Sequence, residues 1–112
     1  MTIPHAKSGE IIAVGPLGSE LPTAKTHALL KSDAMELLRM VLPAGKKIAE
    51  HKAPGEITVH CLEGKVEFTA MGKTHELTSG RLLHLPAAEP HALQAVEDSS
   101  LLVTILRRPA DA

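Results

Sequence analysis

From Met35 onward, short segments alternate with glycine, proline and Asp-Ser-Ser breaks, and this punctuation constrains the fold more than any other feature. The segments are Met35–Leu42, Glu56–Glu63, Lys65–Met71, Thr74–Thr78, Leu82–Leu85, His91–Glu97 and Leu101–Leu106. Between them stand Pro43-Ala44-Gly45, Gly64, Met71-Gly72-Lys73, Ser79-Gly80, Pro86 to Pro90 and Asp98-Ser99-Ser100. Such runs are strand-sized and too short for amphipathic helices, and the longest apolar run, Met35–Leu42, goes straight into turn chemistry. The pattern predicts an all-β sandwich or barrel, with helix limited to a single short turn.

At 112 residues the chain makes one domain, spanning residues 24–107, after a loose leader over 1–23 and before a frayed 108–112. The leader holds Pro4, Gly9, Gly15, Pro16, Gly18 and Pro22, with Glu10–Val14 as a candidate edge strand. A hydrophobic content of 44% supplies a core without disulfides or a structural metal. There is no Trp or Tyr and a single Phe, Phe68, so that core is built from Leu, Ile, Val, Ala and Met. The same deficit argues against nucleic acid, because single strands are held by bases stacking on aromatic rings in a basic groove, and here the net charge is −1. Cys61 is the only cysteine, which excludes an internal disulfide and suits a reducing compartment. Ile11–Val14 is too short for a signal peptide, and no run approaches the ~20 apolar residues of a membrane helix. The expectation is a cytoplasmic protein.

Alternation assigns faces. In Lys65–Met71, Val66, Phe68 and Ala70 share one face while Glu67 and Thr69 take the other. Met35–Leu42 is apolar on both, with Leu37 and Val41 opposite Leu38, Met40 and Leu42; Leu101–Leu106 is apolar on both faces apart from Thr104. A small barrel has only one inside, so a second cover is needed, and a symmetric homodimer supplies it most simply.

Two stretches carry a family resemblance. Gly45 to Gly64 reads Gly, five residues, His51-Lys-Ala53, then Glu56-Ile57 and a closing Gly64. Gly80 to Ala95 reads Gly, five residues, Pro86-Ala-Ala88, two residues, His91. These resemble the two motifs of the cupins, the RmlC-like conserved barrels, and imply a double-stranded β-helix, or jelly-roll barrel. Metal-binding cupins place two histidines and a carboxylate of the first motif around one ion with the histidine of the second. Here His51 and His91 match, whereas Ala53 and Ile57 stand where the second histidine and the carboxylate are usual. Ala88 replaces the motif glycine, which is neutral if that turn avoids positive φ.

Two histidines make a poor metal site, since zinc sites use at least three protein ligands and iron or manganese more. Substitutes are sought in His60, Glu56 and His84. Strict alternation places Ile57, Val59 and Cys61 inside with Glu56, Thr58 and His60 outside; a one-residue bulge would reverse this. The apolar pattern supports the first register and the need for ligands the second. Pirin-like cupins resemble the second, with their carboxylate at the position of Glu56.

Each histidine also has a plainer reading. His51 and His91 could simply bond a backbone carbonyl at a strand end, His60 could be half-exposed or at an interface, and His84 could be a pocket wall. Cys61 reads as a small core hydrophobe and Glu63 as a solvated residue before a hairpin turn.

Two functions stay open. One is a degenerate mononuclear site for a divalent transition metal (Zn, Fe, Mn or Ni) on His51, His91 and His60, with Glu56, Ile57, Val59, Phe68 and His84 shaping the pocket. This is the expectation, because His51 and His91 come from distant segments yet meet in such a barrel. The other is a metal-free, non-catalytic barrel that holds a small, fairly apolar metabolite, in which the same two histidines are hydrogen-bonding groups that orient an anionic ligand. A sugar-nucleotide epimerase of the RmlC kind fits worst, since its acid–base pairing uses a Tyr that the chain lacks.

Overall fold

A computed structural model describes residues 5–107. A six-residue 3-10 helix, Gly18–Thr23, precedes nine strands: β1 (His27–Lys31), β2 (Met35–Leu42), β3 (Lys47–His51), β4 (Ile57–Glu63), β5 (Lys65–Ala70), β6 (Lys73–Thr78), β7 (Leu82–Leu85), β8 (His91–Ala95) and β9 (Ser99–Leu106). They form two antiparallel sheets, ordered β1-β2-β9-β4-β7 and β3-β8-β5-β6, that enclose the core as a jelly roll.

The inner face of the five-stranded sheet is laid down in rows. Leu85, Ile57, Ile105 and Glu36 make one row; Leu83, Val59, Val103 and Leu38 the next; Cys61, Leu101 and Met40 the third. Opposite them the four-stranded sheet presents Val66, Phe68 and Ala70 on β5 with His91, Leu93 and Ala95 on β8, all buried. Phe68, Leu101, Val59 and Cys61 are at most 2% exposed, so the single aromatic sits in the middle of an otherwise aliphatic core.

Leu38 and Met40 face inward, and Leu37 and Val41 take the outer side of β2. On β9 the outward residues are Leu102, Thr104 and Leu106.

Glu10–Val14, expected as an edge strand, forms none. The leader is instead tied across the sheet by two charged side chains. Buried Arg39 donates from its guanidinium to the carbonyls of Gly15 and Ala13, at 3.0 and 3.3 Å. Glu63 is not the solvated residue the sequence suggested: its carboxylate accepts from the N–H groups of Leu17 (2.8 Å) and Gly18 (3.1 Å) and from the Ser100 hydroxyl (2.6 Å). Burial alone would raise the Glu63 pKa. Those donors, with the Arg39 charge, outweigh it and hold the carboxyl below its usual range.

The hairpin that follows depends on Gly64, at φ 91°, where a Cβ would collide with the Ser99 hydroxyl and the Asp98 carbonyl. The motif glycine closing β4 is thus required twice over.

Candidate functional site

Between the sheets lies a cavity of about 540 Å³, open at one end. Its floor is apolar, with Val59, Phe68 and Leu101 among the residues there, and its mouth carries Glu36, Lys52 and Arg107. His51 and His91 line the wall between.

A β-bulge brings them together. Lys47 pairs with Gln94 and Ile48 with Leu93, but the register then slips by one residue on β3, so that His51 pairs with His91. In a regular ladder, alternation from Ile48 through Ala49 and Glu50 would turn His51 outward; the bulge returns it to the inner face. The ring centres lie 4.2 Å apart at an interplanar angle of 61°, edge to face. Phe68 stacks nearly parallel on His91, with 5.5 Å between centres and a 12° tilt. His91 is 5% exposed, whereas His51 is exposed at the mouth.

Both imidazoles are oriented by backbone. Nδ1 of His51 donates to the Ala49 carbonyl and Nδ1 of His91 to the Glu89 carbonyl, each at 2.9 Å. A carbonyl only accepts, so the proton is on Nδ1 in each neutral ring and Nε2 carries the lone pair. The plain reading of these histidines as carbonyl-bonded strand-end residues is therefore realised together with their convergence. Among the described residues the His91 Nε2 makes no hydrogen bond, and it is not sealed from solvent, so it is reachable from the cavity. Burial pushes the His91 pKa below the usual histidine range; the Glu89 bond opposes this and the His51 charge adds to it.

Among the described residues no third donor joins them. β4 alternates without interruption from Ile57 to Cys61, so Ile57 and Val59 line the cavity while Thr58 and His60 face outward. β4 does carry a one-residue bulge, but it falls between Cys61 and Glu63, too late to turn His60 inward. Glu56 and His84 pair with each other instead, Oε1 to Nε2 at 2.8 Å, on the outer surface where both are more than half exposed. The structure thus corrects the expected roles of His60 as a ligand and of Glu56 and His84 as pocket residues. Among the described residues no group of three His, Cys, Asp or Glu side chains is arranged to hold a metal ion.

Two imidazoles sharing one ion at right angles would put their ring centres about 4.5 Å apart, from metal–nitrogen bonds of about 2.0–2.1 Å. At 4.2 Å the pair is within a few tenths of an ångström of that. The donor set, two nitrogens in an apolar wall, does not complete a zinc, iron or manganese site.

Sequence reasoning missed Glu36, Lys52 and Arg107. Glu36 shares its inward phase with Leu38 and Met40, a signal that was present in β2; Lys52 and Arg107 lie just past strand ends, where alternation says nothing. Ala88, in the turn before β8, adopts φ 62°, so that turn does use the left-handed region its motif glycine would favour. The Ala88 N–H bonds the Ala53 carbonyl at 2.9 Å, joining the two motif turns beside the mouth.

Nine strands in two antiparallel sheets around a histidine-walled cavity define a jelly-roll barrel of the double-stranded β-helix class. The chain belongs to the cupins: the family model for the cupin domain matches residues 38–106. Among solved structures it is similar to a conserved Streptococcus pyogenes protein of unknown function, at 23% identity and a TM-score of 0.74 over 98% of this chain and 97% of that one. It is also similar to an RmlC-like cupin from Desulfovibrio desulfuricans, at 25% identity and TM-score 0.67 over 91% and 97%. A predicted oxalate decarboxylase from Thermotoga maritima is similar at 25% identity and TM-score 0.67 over 74% and 79%. No curated protein sequence matches the chain. Among the described residues no helix is long and apolar enough to cross a membrane.

Proposed function

We propose that the chain is a small-molecule-binding barrel whose central cavity takes one metabolite, with His51 and His91 orienting it. The observation that carries this reading is the pair of Nδ1-anchored imidazoles facing an apolar cavity of about 540 Å³, within the size range of ligand sites, with no third metal donor beside them among the described residues. Ile57, Val59 and Phe68 form its apolar wall, and the mouth charges select among ligands. A symmetric pair of chains, meeting through the outer face of the five-stranded sheet, belongs to the same proposal.

A second reading is supported by one observation. Metal-bound histidines typically donate their other ring N–H to a carbonyl or carboxylate, and both imidazoles here do so. His51 and His91 would then hold a transition metal that polarises a bound oxygen, with substrate or water filling the remaining positions.

The experiment separates the two. Untagged protein purified without chelator is expected to carry no stoichiometric metal, and small apolar-bodied compounds are expected to shift the NMR signals of Leu38, Met40 and His91. Ala53→Phe, which narrows the mouth, should abolish those shifts. Stoichiometric metal that disappears in His51→Ala would replace the binding reading with the metal one.

A further inference from the structure

The hydrogen-bonding sense of the site says more about the ligand than its volume does. The Nδ1 protons are spent on the Ala49 and Glu89 carbonyls, so in their neutral form both histidines offer acceptors, and burial favours that form for His91. A carboxylate, itself only an acceptor, has no partner there; a hydroxyl donates to such a lone pair. The mouth has the opposite character. Glu36 also lines the mouth, but its carboxylate lies 3.9 Å from the ammonium of Lys31, a residue outside the lining; Lys52 and Arg107 are the mouth cations without an acidic partner among the described residues. Lys52 immediately follows His51, and both line the cavity, so donor-seeking and anion-seeking groups are neighbours on the wall. Beneath them the floor of Val59, Phe68 and Leu101 offers no polar side chain.

Building on the binding-barrel reading, we infer that the ligand is a 2-hydroxy carboxylate with an apolar tail. The tail lies on the Val59–Leu101 floor, the hydroxyl donates to an imidazole Nε2, and the carboxylate reaches Lys52 and Arg107. The inference places hydroxyl and carboxylate on adjacent carbons, to be met by the consecutive wall residues His51 and Lys52. No bond is made or broken in this assignment.

Three matched probes test it by calorimetry near neutral pH: 2-hydroxyhexanoate, hexanoate and 2-hexanol. The hydroxy acid is expected to bind most tightly, and loss of the hydroxyl to weaken binding about tenfold, the size of one hydrogen bond. In His51→Ala that hydroxyl preference should shrink while the preference for the carboxylate persists. In Lys52→Ala the pattern should invert. His51 and Lys52 are both exposed, so neither variant threatens the core; His91→Ala, checked for folding by its amide spectrum, adds to the first comparison. Equal affinity for hexanoate and 2-hydroxyhexanoate, or a hydroxyl preference that survives the loss of both imidazoles, would overturn the inference and leave the binding barrel standing. Failure of all three probes, with no small molecule shifting the cavity signals, would bring down both.

Discussion

At φ 62°, Ala88 holds a backbone conformation that costs an L-residue roughly 1–2 kcal/mol relative to its ordinary regions. Its N–H bond to the Ala53 carbonyl keeps it there. Ala88→Gly should therefore stabilise the protein by about 0.5–1 kcal/mol, since relief of that strain exceeds the extra chain entropy of glycine. The denaturation midpoint would rise with the slope unchanged; a lower midpoint would mean that the Ala88 methyl contributes packing that outweighs the strain. At this scale His51 and His91 were legible because motif spacing fixes them independently of strand register. His60 was not, since its inward turn was inferred from a need for ligands while the alternation of Ile57, Val59 and Cys61 said otherwise. The alternation held because three apolar side chains would have been driven into water by the shift. Glu63 was misread for a different reason: its partners, Leu17, Gly18 and Ser100, are all distant in sequence.

Among elements, β3 decides the site. Its sequence, Lys-Ile-Ala-Glu-His, has neither an apolar run nor clean alternation, and β1, His-Ala-Leu-Leu-Lys, is similarly mute; neither could be delimited in advance. β2, β5 and β7 were legible to within a residue because turn residues bracket them, and β5 also alternates with period two. A bulge adds a residue without any compositional mark, so the slip that aims His51 inward was invisible. Deleting Glu50 should remove the bulge and restore regular pairing, with His51 now two positions after Ile48 and still on the inner face opposite His91. Nuclear Overhauser contacts between the two imidazoles are the measurement. They should persist in the deletion variant with the sheet signals retained, and their loss would show that the bulge geometry, rather than strand phase, sets the orientation of His51.

For the molecule as a whole, the leader covers only part of the five-stranded sheet, through Arg39 and Glu63. Leu37 and Leu102 remain half-exposed on its outer face, and Leu106 and Leu82 are 42% and 57% exposed. A two-faced sheet was anticipated from the sequence, although Leu38 and Met40 prove to be its inner residues. Light scattering at micromolar concentration is expected to give about twice 11.9 kDa, and Leu102→Lys to return the mass to that of one chain. A monomeric wild type would instead assign the apolar outer face to some other cover. The stacking of Phe68 on His91 has a consequence for how this molecule can be observed. The chain has no other phenyl ring and no indole or phenol, so one benzenoid ring current acts in the interior, and the histidine in the cavity wall is stacked on its source. Anything that enters the cavity and tilts that imidazole moves it through the Phe68 shielding cone, which makes the resting protein its own occupancy gauge.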